Sequence, residues 1–197
     1  MREVVVPLHR ARPASEHLSE EALVAACAVG DSAALAALFD RLHPQLFRFV
    51  SRLIGSDGAD VDDLVQATFL QVWRCAPTFR GNSAARTWIL GVAANVGRRY
   101  VRSEGRRANA TARLALTPSL RVADASEAAE RRELVARVSR ALERLPHPLR
   151  EAFLLCDVEE LSGVEAARAL DVRPGTLWRR LHEARQRLRS ALEEEGA

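Results

Sequence analysis

Apolar side chains in this 197-residue chain recur every three or four positions, and nowhere do they alternate with polar ones. That period belongs to helices packed on a core and leaves no strand pattern from which to build a sheet. The stretch "DSAALAALFDRLHPQLFRFVSRLIG" carries the pattern most fully, with Leu35, Leu38, Phe39, Leu42, Leu46, Phe49, Val50 and Leu53 on one side. Pro44 is expected to kink or divide this helix, and Gly55 to end it. Before it, "SEEALVAACAVGD" reads as a shorter helix capped by Ser19 and stopped by Gly30. After it, "ADVDDLVQATFLQVWRC" places Val61, Leu64, Val65, Thr68, Phe69 and Val72 on a core face. Ser83 then caps "AARTWILGVAANVGRRYVRSEG", a helix that must pack closely at Gly91 and Gly97.

The pattern fails from about Glu104 to Ser126, where "GRRANATARLALTPSLRVADAS" has no sustained period and little to bury. Residues 104–127 are therefore expected to link a first domain, 18–103, to a second, 128–193. Residues 1–17 are expected to form a loose tail. About 20 residues of extended chain reach at most about 70 Å, so the two domains can sit well apart. Helical period returns in "EAAERRELVARVSRALERL", stopped by Pro146, then in "PLREAFLLCDVEE", "SGVEAARALD" and a final helix.

Composition narrows the partners. Every one of the 29 Lys-plus-Arg residues is arginine, and the isoelectric point is about 9.2 although the net charge is only +3. A guanidinium is always charged and presents a rigid fork to phosphates and guanine edges. A GC-rich coding bias also exchanges lysine for arginine, so position must decide between the two causes. Cys27, Cys75 and Cys156 form no CxxC pair and read as small buried hydrophobes in a reducing compartment. The five histidines show no metal-ligand spacing with them. No run suits a signal peptide or a bilayer span, so a cytoplasmic location is expected, with no membrane insertion.

The last two helices, "LSGVEAARALDVRPGTLWRRLHEAR", have helix–turn–helix anatomy. Ser162 caps the first. Ala166 and Ala167 are small where two helices cross, and Leu170 and Val172 bracket the turn. Asp171 occupies a position that glycine fills more easily, although Asp tolerates left-handed backbone better than most residues. Leu177, Leu181, Ala184 and Leu188 form the buried stripe of the second helix. In such a motif the N-terminal part of the second helix enters the major groove. Thr176, Trp178, Arg179, His182 and Glu183 are then placed at base edges, and Arg173, Arg180 and Arg185 at phosphates.

The first domain carries two further surfaces. Outside the core face of the third helix lie Asp62, Gln66, Leu70 and Trp73, a combination that suits protein docking. Trp73 alternatively packs on a neighbouring helix. The loop "PTFRGNS" offers Phe79, Arg80 and Asn82, which can stack on and read an unpaired base. Phe79 alternatively plugs the core. The next helix adds Arg86, Asn95, Arg98 and Arg99.

"DLVQATFLQVWRCAPTFRGNSAARTWILGVAANVGRRY" resembles the region-two domain of bacterial sigma factors of the extracytoplasmic-function group. "LPHPLREAFLLCDVEELSGVEAARALDVRPGTLWRRLHEARQRLRSAL" resembles their region-four domain. The resemblance implies an all-α fold of two small helical domains joined by a flexible linker. It implies that Asp62, Asp63, Gln66, Leu70 and Trp73 dock on the β′ clamp of core RNA polymerase, and that the second domain meets the β flap. It further implies that the Phe79–Asn82 loop captures a flipped base of the minus-ten promoter element, and that the region-four helix reads the minus-thirty-five element. An anti-sigma protein is a further implied partner. Trp178-Arg179 stands where the family often has a basic residue and then a small polar one, and Glu183 often has a basic counterpart, so base preference does not carry over.

No catalytic role and no cofactor are expected, because no Gly-rich phosphate loop, nucleophile motif or carboxylate–histidine constellation is present. No built-in C-terminal regulatory domain is expected either. The rival readings are a stand-alone helix-turn-helix repressor that never touches polymerase, and a helical adaptor with no nucleic-acid role.

Overall fold

A computed structural model describes residues 17–55, 59–111 and 127–194, and these contain helices and no strand. Residues 1–16 of the expected tail and 112–126 of the expected linker lie outside the described residues.

The first body is built from α1 (Glu20–Ala28), α2 (Ser32–Ile54), α3 (Ala59–Cys75) and α4 (Ala85–Thr111). Ser19 caps α1 by accepting the Ala22 N–H at 3.2 Å, and Asp31 caps α2 by accepting the N–H groups of Ala33 and Ala34. Each such cap is worth about 1 kcal/mol. Pro44 does not divide α2, which runs unbroken from Ser32 to Ile54 and ends at Gly55 in the left-handed region, φ 69°. The core face expected on α3 is the one observed: Val61, Leu64, Val65, Thr68, Phe69 and Val72 are all buried. The Thr68 hydroxyl is satisfied by donating to the Leu64 carbonyl at 2.7 Å.

α4 begins at Ala85, and the cap expected from Ser83 comes instead from α1. The Ala85 N–H donates to Glu21 Oε1 at 3.0 Å, which holds the Glu21 carboxyl below the usual range. α4 also continues past the expected boundary at 103, as far as Thr111. Its two glycines permit close approach, as the sequence requires. A Cβ on Gly97 would lie 2.7 Å from Leu53 Cδ2, and one on Gly91 would lie 2.8 Å from the Ala169 carbonyl oxygen.

The second body comprises α5 (Glu127–Glu143), α6 (His147–Phe153), a π-helical turn (Leu154–Val158), α7 (Gly163–Ala169) and α8 (Pro174–Glu194). Leu177, Leu181, Ala184 and Leu188 form the buried stripe of α8, which packs on α5, α6 and α7. Each buried leucine contributes about 1.5–3 kcal/mol. Ser162 and Glu165 close a reciprocal capping box at the start of α7. Asp171 adopts φ 53° in the turn between α7 and α8.

The two bodies touch, although the segment between them is long enough for separation. α4 packs on α7, and α2 packs on α5 and α6. The Arg150 guanidinium, 7% exposed, donates to the Leu53 carbonyl at the end of α2 (3.0 Å) and to the carbonyls of Glu143 (2.5 Å) and Leu145 (3.2 Å). Beside it, Glu151 is 1% exposed and accepts from Arg98 Nε of α4 at 3.0 Å. Burial pushes the Glu151 carboxyl up, against the pull of Arg98. His147 Nδ1 lies 3.5 Å from the same carboxylate. Burial first, then Arg150, Arg98 and Arg102, hold His147 down at about 4.

Two outcomes follow from this geometry. Asp171→Ala should lower stability by about 1 kcal/mol in urea unfolding, because alanine lacks the tolerance of aspartate for left-handed backbone, whereas Asp171→Gly should not. Secondly, His147 is folded as the neutral imidazole, so the unfolded chain binds the extra proton below its ordinary value of 6.5. Stability should therefore fall as pH drops from 6.5 toward about 4. Glu151, raised by burial, acts in the opposite sense. The difference between wild type and His147→Gln across that window isolates the imidazole, and the variant should show the shallower fall.

Candidate nucleic-acid interface

The exposed side of α3 carries Asp62, Asp63, Gln66 and Leu70, the last 55% exposed. Trp73 is different. It is half-buried and packs against the core, which leaves only part of its surface exposed.

A 3₁₀ turn, Ala76–Thr78, follows α3 and delivers the chain into the loop before α4. Thr78 Oγ1 donates to the Cys75 carbonyl at 2.7 Å, and Gly81 supplies a positive φ of 68°. Phe79 is half-buried, and its ring lies 5.1 Å from that of Trp88, tilted by 44°. This pair stands on one wall of a cavity of about 330 Å³, where Arg80, Asn82 and Asn95 supply polar groups. Such a volume lies within the range of small-ligand clefts, about 300–1,000 Å³. An aromatic pair beside amides and a guanidinium can hold a planar base by stacking and edge hydrogen bonds. Trp88 was not among the residues expected from the sequence. Its signal is its spacing with Gly91 and Asn95, which puts all three on the side of α4 that meets the loop.

The remaining cations of this region divide into two groups. Arg80 and Arg99 are exposed. Arg86 is paired with Glu20 at 2.9 Å, and Arg98 is turned toward Glu151 of the second body. The far wall of the cavity also comes from the second body, as Arg168 and Ala169 of α7. Arg168 Nη1 donates to the Asn82 carbonyl.

On the second body, the outward face of α8 carries Arg179 and His182 exposed, with Arg173 exposed just ahead of Pro174. Thr176, Arg180 and Glu183 are half-buried. Trp178 is 53% exposed, but its ring lies over the start of α7, where a Cβ on Gly163 would come within 2.3 Å of it. Gly163 is thus required by the tryptophan, and the ring fixes the two helices of the motif against one another. Arg185 grips Asp157 through two bonds, 2.9 and 2.5 Å, which raises its pKa further. Asp157, in the π-helical turn, is its ion-pair partner, and Glu159 accepts from Gln45 of α2. Glu183 accepts from Arg187 at 2.7 Å. These exposed pairs are weak enough to exchange for a phosphate.

Among the described residues no group of His, Cys, Asp and Glu side chains suits a metal ion, and no helix is long and apolar enough to cross a membrane.

Residues 38–107 match the Sigma-70 region 2 family, and residues 136–188 match the Sigma-70 region 4 family. The ECF RNA polymerase sigma-E factors of Escherichia coli K12 and Salmonella typhimurium LT2 are each 31% identical over 180 residues, which is 87% of this chain and 93% of the relative. The sigma-E factor of Haemophilus influenzae is 28% identical over 187 residues, 91% of this chain and 98% of the relative. Among solved structures, CnrH bound to the cytosolic domain of CnrY superposes with a TM-score of 0.64 at 27% identity, covering 89% of this chain and 97% of that one. RpoE of Bartonella quintana, bound to the anti-sigma factor NepR, shares the fold with a TM-score of 0.63 at 24% identity, over 79% of this chain and 94% of that one. With both sigma regions present in order, and with relatives matched along nearly their whole length, the chain belongs to the ECF family of RNA polymerase sigma factors.

Proposed function

We propose that this sigma factor divides promoter recognition between its two bodies, with the residues named above in separate roles. The cavity walled by Phe79, Trp88, Asn82 and Asn95 receives an unstacked base of the minus-ten element, and Arg80, Arg86, Arg98 and Arg99 hold the adjoining phosphates. The outward face of α8, from Thr176 through Arg179 and His182, reads the minus-thirty-five duplex. Arg173 and Arg180 neutralise its backbone, with Trp178 buttressing the motif as well as facing the groove. Asp62, Asp63, Gln66 and Leu70, with the exposed edge of Trp73, dock on the polymerase clamp, and the second body meets the flap. The observation that carries this reading is the ring-lined cavity. Its aromatic pair and its amides, Phe79, Trp88, Asn82 and Asn95, come from the segment matched to region 2, while Arg168 and Ala169 of the second body complete the lining.

The mechanism needs no catalysis by the sigma subunit. Binding energy from duplex contacts upstream is coupled, through the polymerase, to capture of a base that has left the stack downstream. Trapping the extruded base shifts the melting equilibrium toward the open state. A cytoplasmic location follows from that role. An anti-sigma protein is a fitting regulator, as the Bartonella RpoE complex illustrates for that relative. A stand-alone repressor is the weaker reading, because it gives no use to a region 2 body with an exposed Leu70 beside two acids.

Leu70 tests the docking face better than the half-buried Trp73. Leu70→Glu should weaken association with purified core polymerase by about tenfold or more, with the thermal melt unchanged. Arg179→Ala should cost about 1–3 kcal/mol on the preferred promoter and much less on nonspecific duplex. Competition binding at fixed salt measures the difference, and an equal loss on both would make Arg179 a phosphate contact only.

A further inference from the structure

We propose that Trp178 is a specificity-determining residue of α8 and reads a thymine of the upstream duplex through its C5-methyl group, with Gly163 as the seat that holds the ring in place. This rests on the reading of α8 as the helix that meets that duplex. Trp178 follows the buried Leu177 in the first turns of α8, the part of such a helix that enters a major groove. At 53% exposure it is the one large exposed hydrophobic side chain of α8 among the described residues. Arg173, Arg179 and His182 around it are exposed and polar.

The ring is fixed from behind. A Cβ on Gly163, the first residue of α7, would collide with Trp178 Cζ2 and come within 2.8 Å of Cε2 and Cη2, so this edge of the indole rests on bare backbone. Seven residues along the same flank, Arg185 grips Asp157 at 2.9 and 2.5 Å. The two clamps lie about 10 Å apart along the helix axis and tie one flank of α8 to the segment from Asp157 to Gly163. Trp178 therefore meets DNA with its rotamer already chosen, and little freedom is lost on binding.

The chemistry of the ring then selects the base. Indole has one N–H donor and no acceptor, so it cannot make the paired bonds by which arginine holds guanine or an amide holds adenine. Its open face and edge are apolar, and the apolar group that a base pair shows in the major groove is the thymine methyl. Contact between ring and methyl removes both from water. The same ring pressed on cytosine N4 or guanine O6 strips water from a polar group and returns no second bond.

The experiment uses holoenzyme assembled from purified core polymerase and the full-length chain. Duplexes that the wild-type holoenzyme selects from a library randomised upstream are remade with uracil in place of each thymine in turn, which removes the methyl alone. At one thymine the change should weaken binding about fourfold, the worth of one buried methylene-sized group. Trp178→Ala should bind the thymine and uracil duplexes alike at that position, and Trp178→Phe should keep part of the difference. Gly163→Ala displaces the ring without removing it and should also lower the ratio. Because the ratio is taken within each variant, a loss of overall affinity or of folded protein does not move it, and neither does a tryptophan that only braces α7 against α8. A selected element without thymine, no cost of uracil at any position, or a full uracil penalty retained by Trp178→Ala overturns the proposal. If Arg179→Ala still relaxes discrimination in those cases, α8 remains the reading helix and only the role of Trp178 falls. If neither substitution changes which upstream sequences are selected, both fall together.

Discussion

The contact on which the packing of the two bodies most depends is one buried arginine. Arg150 places its guanidinium against the C-terminal carbonyl of Leu53 and against two carbonyls, Glu143 and Leu145, around the end of α5. Helix C-termini carry partial negative charge and unpaired carbonyls, so a single cation answers both ends at once. Burial opposes its charge and lowers its pKa, with Glu143 acting the other way. The site persists because three carbonyls replace the lost water. Removing the arginine would leave the carbonyls without that partner, and separating the bodies would break its bond to Leu53. It is thus both a support for the second body and a latch on the first.

Around that latch the contact between the bodies is partly polar. Arg98 with Glu151, Arg168 with Asn82, and Gln45 with Glu159 all cross it. Polar interfaces between bodies of one chain resemble transient ones and are made to come apart. The apolar stripes do the opposite work. Leu177, Leu181 and Leu188 hold the helix-turn-helix together, and the six buried side chains of α3 hold the first body together. Packing within each body and contact between them thus rest on different chemistry.

The helices were legible because period is a local signal. The α3 core face and the α8 stripe emerged residue for residue, and so did the closely packed glycines at 91 and 97. The left-handed turn at Asp171 was legible from its place between two helices. What the sequence hid were partners far apart in the chain. Arg98 and Glu151 are 53 residues apart, and Arg150 and Leu53 are 97 apart. No spacing rule announces such pairs. For the same reason Glu21 was not read as the cap of α4, Asp157 was not read as the partner of Arg185, and Trp88 went unnamed although it faces Phe79. Pro44 does not divide α2, because buried residues on both sides of it, Leu42 and Leu46 among them, hold one helix on the core.

The central claim is that the two bodies together direct RNA polymerase to particular promoters. The most direct measurement is transcription in vitro by purified core polymerase on a library of promoter fragments, with and without this protein. The account predicts discrete initiation sites that appear only with the protein and share two sequence elements at a fixed spacing. Unchanged initiation at every fragment, with no association between the protein and the core, would contradict it.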